Sequence, residues 1–416
     1  MDTIIPRTLA PQNQERVWPR EGWTRVPYWV YTDPALYVRE LETFFYGPSW
    51  NYIGLDCEVP EKGSFKRSWI GERQVVIVRG AGDQIHVWEN RCAHRGVRIC
   101  WQNKGQAKSF TCPYHQWNYA LDGKLQAVPL RRGALGKGGM PADFDMGANG
   151  LTPLRVHVEG GSIWASFHPN PPSFADYCTP DVHAMIKRVC PGRKLKLLGY
   201  NRQLIKGNWK LYIENLKDPY HATLLHTFLI TFGLWRADTQ SESIPQPNGH
   251  SIMASRNVGK KTTSATPEMS SFKGSLHLND MDSVTQRPEF EDGKVSGGVL
   301  FPSVVLHQQA NTLGMRHIIP KSVDSFELSW TYYGYEDDDD AMTRLRVRHA
   351  NLYGPAGYVA MEDGEVLSES QLGVHHYEHH SAVLEMGGRD VLPQDHMVTE
   401  VMIRAFYKHY RELLSL

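Results

Sequence analysis

Two groups of side chains in this sequence have the types and spacing to hold metal ions. The first lies in RCAHRGVRICWQNKGQAKSFTCPYH, residues 91–115. Cys92 precedes His94 by two positions, Cys112 precedes His115 by three, and 17 residues separate the pairs. Thiolates and imidazoles together suit zinc or iron–sulfur chemistry. A structural zinc site with two Cys and two His is one reading. Such sites usually open with cysteines two to four residues apart, and Cys-x-His is unusual there. The other reading is a [2Fe–2S] cluster with two thiolates on one iron and two imidazoles on the other. That cluster takes one Cys and one His from each of two loops, as found here. Of the six cysteines (Cys57, Cys92, Cys100, Cys112, Cys178 and Cys190), only Cys92 and Cys112 stand beside histidines at ligand spacing. Cys100 is expected to be a buried thiol.

The second group lies in ENLKDPYHATLLH, residues 214–226. His221 and His226 are five apart. In an ideal helix that is about 500°, which points the rings about 140° apart. They can share a metal only if the helix is distorted or ends between them. The metalloprotease pattern, with its shorter spacing and intervening Glu, is absent. Taken alone, the pair reads as two ordinary histidines on a partly buried helix. Joined by one carboxylate it becomes the facial set that holds Fe(II) and leaves positions open for O₂. Asp218 lies three residues before His221, so it can reach that ring from the same helical face and raise its basicity. The run HHYEHH at 375–380 reads as a flexible loop rather than a metal site.

Hairpin tips must present the first four ligands, and residues 46–168 have the right texture. Short runs such as WNYIGL, RQVVIVRG, DQIHVWEN and GSIWASF are punctuated by Gly, Asn and Asp, which predicts an antiparallel β domain. Residues 1–45 form an N-terminal segment with one helix after Pro34, its apolar face made by Leu36, Val38, Leu41, Phe44 and Phe45. It is expected to pack on the remainder. Residues 169–416 mix helices and strands. FADYCTPDVHAMIKRVC and TEVMIRAFYKHYRELLSL read as helices, and the segment after Trp209 as a helix broken near Pro219. SGGVLFPSVVLHQQANTLGMRHIIP and DSFELSWTYYGY read as sheet strands. The Ser/Gly-rich stretch 240–290 reads as a long loop region, and EDDDD at 336–340 as a helix start. The class is α+β: a β-rich domain plus a larger domain with a central antiparallel sheet flanked by helices.

The bulk numbers narrow the context. The chain has 416 residues, and 45 basic side chains balance 45 acidic ones. That balance gives no reason to expect nucleic acid or an anionic membrane as partner. No apolar run approaches the ~20 residues of a membrane span. The N-terminus lacks the basic start and apolar core of a secretory signal, so a cytoplasmic location with reduced thiols is expected.

CAHRG…CPYHQWNY, with E-N-x-x-D-x-Y-H-x-x-x-x-H further on, resembles the Rieske non-haem iron aromatic-ring-hydroxylating oxygenases, large (alpha) subunit. The resemblance spans nearly the whole chain. It implies a [2Fe–2S] cluster on Cys92, His94, Cys112 and His115. Tyr114 stands where respiratory Rieske proteins have a bridging cysteine, so no disulfide is implied. It implies a mononuclear Fe(II) on His221, His226 and a carboxylate after a Gly-Pro-x-Gly turn. GPAGYVAMEDGE supplies that turn and two acids, and the family pattern selects Asp363 over its neighbour Glu362. Asp218 is implied to bridge His221 to the Rieske His115 of an adjacent subunit. A trimer of large subunits, alone or with three small beta subunits, is implied, served by an NADH-dependent reductase and a ferredoxin. No G-x-G-x-x-G follows a predicted strand here, so the nicotinamide site belongs elsewhere.

NWKLYIENLKDPYHATLLHTFLITFGLWRAD, CPYHQWNY and QDHMVTE most resemble large subunits acting on benzoate-type acids, above all the salicylate 5-hydroxylating group. That resemblance implies conversion of salicylate to gentisate. Terephthalate dioxygenase large subunits are similar but less so, and would imply a cis-dihydrodiol. A Rieske electron carrier without oxygenase chemistry is the remote alternative. A carboxylated substrate in an apolar pocket needs a hydrogen-bonding or charged partner. Alternation places His307, Gln309 and Asn311 on one strand face, with Arg316 on the next strand and Arg404 in the last helix. Asn215, Gln309 and Arg316 are the candidate substrate contacts.

Overall fold

The protein is described by a computed structural model covering residues 16–256, 276, 278–290 and 294–416. The readings of residues 1–15 and of 257–275 lie outside the described residues. Three small antiparallel sheets build the β-rich part. One has the order Ile85–Glu89, Arg73–Arg79, Ser64–Ile70, Lys104–Gln106. A second joins Phe110–Thr111, Asn118–Tyr119 and Leu125–Ala127, and a third joins Arg155–Glu159, Ser162–Ser166 and Asn51–Leu55. The strand Arg73–Arg79 is apolar on both faces for a reason. Val76 and Val78 pack into the core that holds Cys92 and Cys112, while Val75 and Ile77 pack into the main core of the molecule. A strand buried on both sides shows no alternation.

The larger part is built on a seven-stranded antiparallel sheet. Its order is Leu195–Ile205, Ser325–Tyr335, Thr312–Ser322, Val304–Gln309, Lys294–Leu300, Ser251–Arg256, Ser241–Pro245. The last two strands correct the loop reading of 240–290. Ser251, Met253 and Ser255 alternate toward a cavity rather than an apolar core, so the strand carries little of the apolar signal that marks sheet residues. Asp339 caps the helix Asp340–Tyr353 by accepting from the Met342 N–H, as the acidic run predicts. In the N-terminal helix Pro34–Glu40, Leu36 is buried but Val38 is exposed, so the apolar face is narrower than the sequence reads. Thr179, at φ 63°, and Pro180 break the helix Phe174–Val189.

The N-terminal segment is tied to the rest by a strand and by a buried charge. Arg25–Pro27 pairs antiparallel with Ser381–Val383. Glu40 is fully buried, as is Lys210, whose Nζ lies 2.7 Å away. Trp209 Nε1 and Tyr410 Oη also donate to the Glu40 carboxylate. Burial pulls Lys210 below its ordinary pKa, and Glu40 pushes back. A buried pair costs most when one partner alone is removed. Glu40→Ala therefore destabilises by about 3–5 kcal/mol, read as a fall in the urea midpoint of tryptophan fluorescence. A loss under about 1 kcal/mol, the scale of exposed pairs, would show that the pair is solvated in solution.

Candidate functional site

The four residues of the first group meet at the tips of two loops of matching build. The Cys92 N–H donates to Val97 and the Gly96 N–H to Cys92; the Cys112 N–H donates to Trp117 and the Gln116 N–H to Cys112. Gly96 and Gln116 both sit in the left-handed region, at φ 73° and 58°. Glycine adopts that conformation freely, whereas Gln116 carries some strain. Asn90 closes the first loop: its Oδ1 accepts from the Ile99 and Cys100 N–H groups, and its Nδ2 donates to the Cys100 carbonyl and to Gln74. Cys92 and Cys112 are buried, and the His94 and His115 ring centroids are 4.6 Å apart. Trp117 stacks flat on His94 at 4.7 Å, and the Tyr119 hydroxyl lies 3.2 Å from Cys92 Sγ. His94 Nδ1 is buried with no partner. Two thiols and an orphaned imidazole nitrogen in one place are a donor set that a [2Fe–2S] cluster with mixed ligands fits. All six cysteines are free, and Cys100 is buried with its Sγ against the Gln102 carbonyl.

The second group assembles because the helix does end between its histidines. Trp209–Leu216 stops at Lys217, Pro219–Ala222 adds a single turn, and Thr227–Thr231 starts after His226. Asp218 caps that single turn, its Oδ1 accepting from the Tyr220 and His221 N–H groups. Tyr358–Val374 brings Asp363, which is buried. Asp363 Oδ1 lies 3.5 Å from His221 Nε2 and 3.6 Å from His226 Nε2. The three ligand atoms lie within 4.8 Å of one another. Donors bound at ~2.1 Å around one ion lie roughly 3 Å apart, so the three need close in only slightly.

Each ring has its other nitrogen facing a carboxylate. His221 Nδ1 is 3.4 Å from Asp218 Oδ2, and His226 Nδ1 is 2.9 Å from Glu362 Oε2. Burial depresses the His221 pKa, but Asp218 and Asp363 outweigh it and push the ring up to about 10. Burial lowers the His226 pKa despite Asp363 and Glu362. Burial opposes the charge on Asp363, yet His221, His226 and Asn215 hold its carboxyl below the usual range. The inward face thus calls for positive charge, which a divalent cation meets while displacing a proton. Carboxylates on the outer nitrogens orient metal-binding rings.

A cavity opens beside the three. His307, Gln309 and Arg316 line it with Val299, Val305 and Val359. Arg316 is buried, its Nη1 donating to the Tyr212 hydroxyl at 3.3 Å and its guanidinium 4.2 Å from the Trp330 ring centre. No carboxylate among the described residues pairs with it, and its Nε has no partner. His307 Nε2 and Gln309 Oε1 are 3.0 Å apart, which leaves His307 Nδ1 and Gln309 Nε2 without partners. Burial and Arg316 hold His307 neutral. Asn215 borders the cavity, but its Nδ2 donates to Asp363 at 3.1 Å and lies 3.2 Å from His221 Nε2. Asn311 departs from the expected face. It sits in the turn after the strand, where its side chain holds the Arg287 backbone and Glu289. Arg404 lies away from the cavity, donating to the carbonyls of Leu384, Met386 and Asp390. In the sequence Glu362 stands out only as the acidic neighbour of Asp363. Consecutive helical residues point about 100° apart, so the two acids can serve one imidazole from two sides.

Comparison with known proteins agrees with this geometry. Residues 49–136 match the Rieske [2Fe-2S] domain, and residues 181–416 match the ring hydroxylating alpha subunit catalytic domain. The chain is 46% identical to the large oxygenase component of salicylate 5-hydroxylase from Ralstonia sp, over 99% of both chains. It is 40% identical to the terminal oxygenase component subunit alpha 2 of terephthalate 1,2-dioxygenase from Comamonas sp, over 94% of this chain and 95% of that one. The fold matches naphthalene 1,2-dioxygenase from Rhodococcus sp. with a TM-score of 0.77 at 22% identity, over 94% of each chain. Among the described residues no helix is long and apolar enough to cross a membrane. The chain belongs to the Rieske non-haem iron ring-hydroxylating oxygenases, and is a large alpha subunit that takes a [2Fe–2S] cluster and a mononuclear iron.

Proposed function

We propose that this subunit hydroxylates an aromatic carboxylic acid, and that its substrate is salicylate, converted to gentisate by 5-hydroxylation with O₂. The observation that carries the reading is Arg316. It is a buried guanidinium with no carboxylate partner among the described residues, in the same cavity as His221, His226 and Asp363. A buried charge of this kind calls for an opposite charge, and guanidinium matches carboxylate geometry. The amide of Gln309 offers a second donor. Neutral His307, with Nε2–H spent on Gln309, offers Nδ1 as an acceptor. A cation, a donor and an acceptor together fit a carboxylate beside a hydroxyl. The second carboxylate of terephthalate has no hydrogen to give that acceptor. The relatives quoted above support an aromatic acid in either case.

Cys92, His94, Cys112 and His115 hold the cluster, and His221, His226 and Asp363 hold the iron. When bound, the cluster supplies electrons singly and the iron activates O₂ at open positions. The chain's own groups do the rest. Asp218 and Glu362 hold the histidine rings with their outer nitrogens turned away from the metal position. Asn215 fixes the Asp363 oxygen. Val299, Val305 and Val359 exclude water around the ring of the substrate. Arg316 and Gln309 fix its carboxylate and so choose the carbon presented for attack. In a trimer of large subunits, with or without small beta subunits, His115 of an adjacent copy and Asp218 would form the route by which electrons enter. They come from NADH by way of a separate reductase and ferredoxin in the cytoplasm. The chain divides its labour near residue 168, the cluster before it and the iron after it, with 1–45 bracing the second part.

Four outcomes test this. Iron analysis should give about three irons per chain, falling to about two in Asp363→Ala with the Rieske EPR signal unchanged. Glu362→Gln should keep the third iron and bind it about 10–100-fold more weakly. Asp218→Ala should keep all the iron yet lose at least about 10–100-fold in gentisate formation; full turnover would remove Asp218 from the electron route. Arg316→Met should raise KM for salicylate by about 10-fold or more, the worth of one charged hydrogen bond, with a smaller effect on kcat. An unchanged KM, or a dihydrodiol as product of salicylate, would defeat the substrate assignment.

A further inference from the structure

The residue that ends the first piece of the broken helix, Lys217, takes no part in the chemistry above. It is fully buried. Its Nζ donates to the Gly249 carbonyl and to Ser251 Oγ, both at 2.9 Å. Lys210, equally buried, has Glu40 at 2.7 Å from its Nζ. Lys217 has no carboxylate partner among the described residues, and burial alone pulls its pKa down to about 7. Two histidines are the titratable groups around it. His250 is buried, and burial holds it down at about 3. Both of its nitrogens are engaged, by the Phe301 N–H and the Tyr177 carbonyl. His409 is half-buried in the last helix; burial lowers its pKa, with Glu412 opposing and Lys217 assisting. Ser251 faces the other way. It lines the cavity that also holds His221, His226 and Asp363. Its Oγ accepts from Lys217, so its own hydrogen is free to point inward.

Hydroxylation by O₂ consumes protons. One oxygen atom enters a ring C–H bond, and the other leaves as water after taking two electrons and two protons. The ionisable groups that line the cavity are committed elsewhere. His221, His226 and Asp363 face the metal position, and Arg316 does not release its proton. His307 is neutral, with its Nε2–H on Gln309. Asp218 is occupied by its turn and by the His221 ring. We propose that Lys217 delivers a proton to the cavity through the Ser251 hydroxyl, for the oxygen atom that leaves as water. The inference rests on the oxygenase reading above but not on salicylate as the substrate. The step balances without a redox change at the relay. The Ser251 hydrogen passes inward, a proton from Lys217 Nζ replaces it on Oγ, and the lysine is left as a neutral amine. That amine still has two N–H groups, enough to keep the Gly249 carbonyl. Solvent then recharges it from the side of the half-buried His409, which packs against Gly249. A clamp for Gly249 and Ser251 needs two donors and no charge, whereas a buried unpaired ammonium is costly to keep. A group that releases its proton near neutral pH suits general acid work.

Two measurements on the holoenzyme test this, one of them without turnover. The first is melting temperature against pH for wild type and Lys217→Met. The folded pKa lies below the roughly 10.4 of an unfolded lysine, so between the two values the unfolded chain holds a proton that the folded one has shed. Stability from this group therefore rises with pH in that window and is flat below it. The wild type should gain on the variant from about pH 7 to about pH 9, by up to about tenfold in folding constant per pH unit. Parallel pH profiles would show a lysine that never releases its proton and would overturn the proposal. The second is single turnover, with enzyme reduced by dithionite and then mixed with O₂ and a benzoate that the wild type hydroxylates. Lys217→Met and Ser251→Ala should each slow product formation about 100-fold or more, with iron content and the Rieske EPR signal unchanged. The wild-type rate should fall as pH rises through about 7, and both variants should lose that dependence. Ser251→Thr, which keeps the hydroxyl, should recover most of the rate. Lys217→Arg, which keeps the donors but holds its proton, should stay slow. A fast Lys217→Arg, or losses that leave the pH profile intact, would reduce Lys217 to a clamp and overturn the relay. Failure of the wild type to hydroxylate any benzoate would defeat the oxygenase reading instead, and the melting curves would still judge the lysine.

Discussion

The five-residue spacing of His221 and His226 governs the rest of the catalytic part. No regular helix can aim both rings at one point, so the chain leaves the helix at Lys217, makes one turn at Pro219–Ala222 and starts again at Thr227. Three short pieces carry more unsatisfied termini than one long helix, and each end needs a cap. Asn208 caps the first and Asp218 the second. Trp209, Leu211, Tyr212 and Ile213 anchor the first piece in the main core. The histidines themselves are met from outside by Tyr358–Val374, which sends Asp363 to both rings and Glu362 to the back of one.

The sheet supplies the other wall, and its register decides what that wall contains. Val305 pairs with Arg316, His307 with Gly314, and Gln309 with Thr312. Arg316 therefore shares a face with His307 and Gln309 while lying one strand over, because side chains on paired positions point the same way. The same face continues through Gly297 and Val299 to Ser251 and Met253. Gly297 and Gly314 flank His307 and leave space beside it. A one-residue slip would turn Arg316 into the opposite core and close the cavity. Specificity for a charged substrate thus rests on backbone pairing as much as on the arginine itself.

Much of this was readable from residue types and spacing. The paired Cys and His of the first group identify a mixed-ligand cluster because few other centres ask for that set. The break near Pro219 follows from proline's missing N–H. What could not be read has identifiable causes. Ser251–Arg256 looks like loop because Ser251, Met253 and Ser255 face the cavity rather than an apolar core, and alternation is a signal only when one face packs on such a core. Asn311 continues the alternation of His307 and Gln309 in sequence, but the strand ends at Gln309 and Ala310 turns at φ 50°, so the side chain leaves the face. Glu362 is adjacent to Asp363, and only the position of His226 between helices shows that both acids are used.

Asp218 shows how one side chain can couple local folding to a site. Its two carboxylate oxygens do separate things. Oδ1 is occupied by the Tyr220 and His221 N–H groups and builds the single turn that presents His221. Oδ2 faces His221 Nδ1 and reaches partway to solvent, with the side chain 19% exposed. An amide in its place has one oxygen and could cap the turn, but it would offer a neutral group to the ring and to anything docking outside. The negative charge is therefore what links the ring to the surface. It fixes which nitrogen of His221 faces the metal position. Placing a charge there costs little because the cap already holds half of the carboxylate in a hydrogen-bonded position.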